Sequence, residues 1–265
     1  MGGSPVSRGR IRIMKSQHKI IVGNWKMNPA TLKNAHQIVK DIVRQAGKAK
    51  NTTVVVCPPF VYIPSLAPSL KKAKLGAQDM FHELGSAFTS QVSADILKNI
   101  GVSHVIIGHS ERRKLGETDE VINKKVLLAL KMKMTPIVCI GEDSRDEDGH
   151  YLGVIRNQLE KALTGVKKTQ LNSIIIAYEP VWAIGAEAAM NARDVHEMTI
   201  YIKKSLVDLF RMKKTPETPI LYGGAVDPTN TKDILTLGDA DGLLIGRQSL
   251  DPKNFIEIIV LAGTL

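Results

Sequence analysis

The 265-residue chain is predicted to form one (β/α)8 barrel, an α/β fold built on a parallel sheet. Three observations carry that prediction. Eight short apolar runs, rich in Val and Ile and bounded by Gly and Pro, recur along the chain. They lack polar/apolar alternation, as strands covered on both faces do. Amphipathic stretches of helical period separate them, and no low-complexity linker or second composition divides the chain. Eight strand–helix units in about 245 residues suit a closed barrel better than an open sheet.

The elements follow in order. KIIVGNW begins near residue 19 and TVVVCPP near 53. Between them, residues 31–47 place Leu32, Ala35, Ile38, Val39, Ile42 and Val43 on one helical stripe. KLGAQD near 74 and HVIIGHS near 104 are the third and fourth strands. A helix is predicted over 119–133, with an acidic N-cap and apolar positions at Val121, Ile122, Val126, Leu127 and Leu130. PIVCIGE near 136 and IIIAYEP near 174 follow, then a helix over 193–211. PILYGG near 219, GLLIGR near 242 and a helix over 254–261 complete the set. A doubly wound open sheet is the alternative. It would take a nucleotide on a Gly-rich first turn, and the first turn here reads NWKMNP.

Composition narrows the function. The chain is 43% hydrophobic and 23% charged, as ordinary globular proteins are. No apolar run reaches the roughly 18 residues that a membrane span needs. The net charge is +10, but Arg8, Arg10, Arg12, Lys15 and Lys19 supply half of it before the first strand is under way. No basic stripe with interleaved aromatics marks a nucleic-acid surface. Residues 1–17 are expected to be a disordered basic tail or a remnant of cloning. An Arg-bearing, acid-free start can also be a targeting segment. The barrel is assigned to residues 18–265. Cys57 and Cys139 lie in strand runs, too few for a disulfide framework, which points to a reducing compartment.

In a parallel barrel, groups at the C-terminal strand ends converge on one face. The first end supplies Asn24 and Lys26, the fourth His109, Ser110 and Glu111, and the sixth Glu179. The seventh supplies Gly223, Gly224 and Ala225, and the eighth Gly246 and Arg247. A carboxylate and an imidazole can serve as base and acid. Gly-containing turns beside a Lys suit a phosphate dianion. No Cys/His cluster has metal-ligand spacing. Each residue also has a plainer reading taken singly. Lys26 is a solvated charge, His109 a helix cap, Glu111 part of a surface ion cluster, Glu179 a helix-start acid, and Cys139 packing. Their collection at one end of the barrel favours the functional reading.

The motifs GNWKMN, GHSERR, AYEPVWAIG and YGGAVDP, in this order on these strand ends, resemble the triosephosphate isomerase family from about Lys19 to Leu261. The resemblance implies the (β/α)8 TIM barrel and interconversion of dihydroxyacetone phosphate and glyceraldehyde 3-phosphate in glycolysis and gluconeogenesis. It implies a cytoplasmic homodimer that needs neither cofactor nor metal. By the same resemblance, Glu179 is the base that moves a proton between two substrate carbons. His109 is the electrophile and proton shuttle. That class is known for a neutral imidazole whose pKa a helix N-terminus lowers, a property of the class rather than a deduction from these residues. Lys26 resembles the electrostatic partner of the developing enediolate and the phosphate, and Asn24 its neighbour on the substrate oxygen. Ser110 resembles the residue that holds the resting base, and Glu111 orients Lys26. A barrel that has turned into a binding or moonlighting protein is the alternative, but Lys26, His109 and Glu179 are all present.

The stretch from Pro180 to Trp182 resembles the first hinge of a loop that closes over the substrate. Closure excludes water, without which the enediolate phosphate would eliminate its phosphate. After Gly185 the family usually reads Thr-Gly-Lys-Thr-Ala. Here Ala186, Glu187, Ala188, Ala189 and Met190 follow, in a segment a few residues shorter. Ala225 stands where Ser is usual, and Arg247 where a second Gly is common. Gly185, Ala225, Gly246 and Arg247 keep their backbone N–H groups as phosphate ligands. Two readings of the Arg247 side chain stay open: it faces solvent, or it offsets the negative Glu187 near the loop tip, either by facing the phosphate or by pairing with Glu187 when the loop closes. Residues 81–92, from Phe81 to Val92, match the long loop that docks into a neighbouring subunit, with Ser90 and Gln91 in place of Gly and Glu.

Overall fold

The computed structural model describes residues 18–85, 87–184 and 190–265. Eight parallel strands close into a barrel in sequence order. They are β1 (Lys19–Asn24), β2 (Thr52–Cys57), β3 (Lys74–Ala77), β4 (His104–Ile107), β5 (Thr135–Ile140), β6 (Ile175–Tyr178), β7 (Ile220–Tyr222) and β8 (Gly242–Ile245). Each begins within one residue of the apolar run that predicts it. β1 pairs with both β2 and β8, and the seam puts Ile20 opposite Gly242. A Cβ on Gly242 would lie 1.9 Å from the Ile20 carbonyl oxygen, so closure at this point requires glycine.

Helices wrap the barrel: α1 (Leu32–Ala46), α2 (Ile63–Leu66), α3 (Ala94–Asn99), α4 (Ser110–Lys114), α5 (Asp119–Lys131), α6 (His150–Ala162), α7 (Ala192–Leu209), α8 (Pro228–Thr236) and α9 (Pro252–Gly263). Side-chain caps set most of their starts. Thr31 accepts from Asn34 N–H, Asn191 from Asp194 N–H, and Asp227 and Asp251 cap helices that open on Pro. One expectation is corrected. The cap of α5 is Thr118, whose hydroxyl accepts from Val121 N–H, while Asp119 lies in the first turn and favours the helix dipole. A residue before the apolar stripe takes the cap because a cap needs extended, not helical, backbone.

The core has two layers, as strands covered on both faces require. Ile21, Val56, Ile107, Val138 and Ile176 point outward and pack under the helices. Val22, Val55, Ile106, Ile137, Ile175 and Leu221, with Cys57 and Cys139, fill the barrel interior. Both thiols are free and buried. Among the described residues, no helix is long and apolar enough to cross a membrane. Residues 1–17 and 185–189, about which expectations were stated, lie outside the described residues.

Candidate active site

The period of two along a strand decides what lies above the barrel's packed interior. On β1 the inward row runs through Val22 to Asn24, and on β6 through Ile175 and Ala177 to Glu179. On β7 and β8 the same row passes Leu221 and Leu244 and reaches Gly223 and Gly246. One side of the next layer is thus polar and the other has no side chains. The glycines leave space where the carboxylate needs it. A Cβ on Gly223 would stand 2.8 Å from Glu179 Cγ.

Glu179 is 3% exposed and His109 5%. Glu179 Oε1 lies 3.2 Å from His109 Nε2. His109 is the cap of α4, and its Nδ1 accepts from the Glu111 backbone N–H at 3.2 Å. A nitrogen that accepts carries no proton, so the neutral ring's proton sits on Nε2, toward the carboxylate. Burial pushes Glu179 up, but His109, with smaller help from the Cys139 thiol and Lys26, holds it below the ordinary carboxylate range. Burial pushes His109 down, and the facing Glu179 carboxylate, with help from Glu111, outweighs it and raises the ring's affinity for a proton. The Glu111 N–H bond works the other way, because a second proton on the ring would break it. Glu179 Oε2 is buried and accepts no hydrogen bond among the described residues.

Lys26 enters from the β1 turn, held in a left-handed backbone conformation with φ 52°. Two contacts fix that turn. Lys26 N–H donates to Asn24 Oδ1 at 3.1 Å, and Gln78 Nε2 donates to the carbonyls of Lys26 and Cys57 at 2.8 and 2.9 Å. The Lys26 ammonium pairs with Glu111 Oε1 at 2.6 Å. The pair is partly exposed and is worth about 0–1 kcal/mol to stability. Its effect is to aim the ammonium. Ser110 is buried in the first turn of α4, while the Glu179 carboxylate is turned to His109 and Cys139.

Asn24, Lys26, His109 and Glu179 line one cavity of about 480 Å³ together with Ala225, Gly246 and Arg247. A larger cavity of about 530 Å³ lies at the opposite end of the barrel, where α6 and α7 end. It is lined by Leu163, Phe210, Lys167 and Arg211 among others and gathers no imidazole or thiol. Size is therefore a poorer guide here than chemistry.

The loop after β6 is anchored at both described ends. The Trp182 indole N–H donates to Glu142 Oε1 at 3.1 Å, as do Tyr178 Oη at 2.8 Å and Arg145 Nε at 2.9 Å. Met190 N–H donates to Tyr222 Oη at 3.2 Å. Arg145 stacks over the Tyr151 and Trp182 rings. Sequence reasoning missed Glu142 and Gln78. An acid just past β5 is the same signal that flagged Glu179, and Gln78 stands at the end of β3, so both were open to the strand-end rule.

Comparison with known proteins agrees with this geometry. The family model described as triosephosphate isomerase matches residues 19–262. A triosephosphate isomerase of Thermoanaerobacter pseudethanolicus is 42% identical over 244 residues, 91% of this chain and 98% of the relative. One from Thermoanaerobacter sp. (strain X514) is also 42% identical, with the same coverage. The motifs, the closed barrel and a match running from its first strand into its last helix converge: the chain belongs to the triosephosphate isomerase family.

Proposed function

We propose that the chain interconverts dihydroxyacetone phosphate and D-glyceraldehyde 3-phosphate, with Glu179 as base, His109 as electrophile and proton shuttle, and Lys26 as electrostatic stabiliser. The approach of Glu179 Oε1 to His109 Nε2, 3.2 Å in a buried cleft, is the observation that carries this reading. Glu179 takes a proton from the carbon beside the substrate carbonyl. The electron pair moves into the carbon–carbon bond and the carbonyl oxygen becomes an enediolate oxygen. His109 donates from Nε2 to that oxygen, and Lys26 offsets the charge that develops. The proton returns from Glu179 to the neighbouring carbon, and His109 moves the hydroxyl proton between the two oxygens. A substrate oxygen between His109 and Glu179 weakens the ionic pull on the ring, and the Glu111 N–H bond then favours neutral imidazole.

Asn24 supports the substrate oxygen. Backbone N–H groups at Gly185, Ala225, Gly246 and Arg247 bind the phosphate. Ser110 is the partner proposed for the base when it swings away from His109, and Glu111 aims Lys26. The same reading makes the protein a homodimer through residues 81–92 and a cytoplasmic enzyme of glycolysis and gluconeogenesis. Two buried free thiols suit a reducing compartment.

A coupled assay with glyceraldehyde 3-phosphate tests the activity. Glu179→Gln is expected to lower kcat by about 10²–10⁴-fold or more with the fold intact. Wild-type turnover in the purified variant would remove Glu179 from the mechanism.

A further inference from the structure

The cavity wall holds one cation that no acid among the described residues offsets. Lys26 is committed to Glu111 at 2.6 Å. Arg247 lines the same cavity, is exposed, and makes no ion pair or side-chain hydrogen bond among the described residues. The remaining charges on the wall are acids. Glu179 faces His109, and Asp227 Oδ1 accepts from Thr229 N–H at 2.7 Å, Thr229 Oγ1 at 2.6 Å and Asn230 N–H at 3.2 Å, as an ionised cap does. A phosphate dianion that enters meets two carboxylates and a lysine that shares its charge with Glu111. Backbone N–H groups carry only partial charge. The turn that carries Arg247 lies against the lysine stem: a Cβ on the preceding residue, Gly246, would stand 3.6 Å from Lys26 Cε.

We infer that the Arg247 side chain is a phosphate ligand that makes the site select phosphorylated trioses over uncharged ones. This rests on the triose-phosphate reading and adds to it a side-chain contact where backbone groups alone were assigned. The guanidinium is planar, always charged and weakly hydrated, and its fork of donors matches two phosphate oxygens at once. It also draws the dianion toward a cavity whose other fixed charges repel it.

The test uses the full chain and the variants Arg247→Ala and Arg247→Lys. Calorimetry with inorganic phosphate measures anion affinity without catalysis. Kinetics measure the ratio of kcat/KM for glyceraldehyde 3-phosphate to that for glyceraldehyde. In Arg247→Ala, phosphate affinity and the ratio should each fall about tenfold or more, as loss of a charge-assisted contact does. Arg247→Lys should recover part of both, and added salt should narrow the gap. Unchanged phosphate affinity in Arg247→Ala overturns the inference. So does an equal loss with both substrates, which marks a structural role. If the wild type fails to isomerise triose phosphates, the functional reading falls, and the phosphate titration alone still decides the role of Arg247.

Discussion

The distance between Gly223 and Glu179 shows how finely the base is placed. A methyl group on Gly223 would stand 2.8 Å from Glu179 Cγ, well inside van der Waals contact. Gly223→Ala is therefore expected to push the carboxylate aside and lower kcat by about 10²-fold, because shifts near 1 Å have that effect on reacting groups. Circular dichroism should show an unchanged fold, and unchanged kcat would mean that the base tolerates displacement. The pH response belongs to this scale too. Glu179 is held below the ordinary carboxylate range, first against burial and then chiefly by His109. A depressed carboxylate stays ionised as pH falls until its own lowered pKa is reached, so its action as base is lost only there, while its contribution to stability declines from the ordinary glutamate range downward and is gone below the lowered pKa. With glyceraldehyde, which has no phosphate to titrate, the acid limb of kcat/KM should lie above the ordinary imidazole range, where the raised His109 takes its second proton, and Glu179 should add no limb in the ordinary glutamate range. A first acid limb at or below the ordinary imidazole range would contradict the pairing.

At the scale of the element, the β1 turn carries the most constraint. Lys26 is non-glycine at φ 52°, a conformation that needs support from its surroundings. Gln78 gives that support from the end of β3 with two hydrogen bonds, one to the turn and one to β2. Gln78→Leu keeps the volume and removes both donors. It should destabilise the protein by about 1–3 kcal/mol, the penalty for carbonyls left without a partner. It should also raise KM, because the Lys26 turn loosens. Denaturant unfolding together with kinetics checks both, and loss of stability with no change in KM would separate Gln78 from the site.

For the whole molecule, the loops after the first four strands share a property. Met27, Val61, Leu84, Phe88 and Leu115 follow β1 to β4 in turn, and all are exposed. Neighbouring strands put these loops side by side at one edge of the barrel mouth. In residues 81–92, the Phe81 and Phe88 rings meet at 4.5 Å, tilted by 49°. So much apolar surface at one edge is unusual for a monomer. The mass in light scattering is expected to be twice 29.0 kDa. A fully active monomer at micromolar concentration would count against this interface.

The sequence by itself determined the eight strands, their order, most of the helices and the strand ends where chemistry gathers. These follow from period, propensity and the topology of parallel sheets, which are local or nearly so. Glu179, His109 and Lys26 were legible because a charge at the end of an apolar run is conspicuous. Only the tertiary structure decided which groups touch. Residues 70 positions apart, such as His109 and Glu179, meet because closing the barrel brings β4 and β6 to one mouth with a fixed inward register. The supports Glu142 and Gln78, the space left by Gly223, and the lack of a partner for Arg247 among the described residues likewise depend on packing in three dimensions. Hydrogen bonds and contacts act over a few ångströms, and distance along the chain does not encode them.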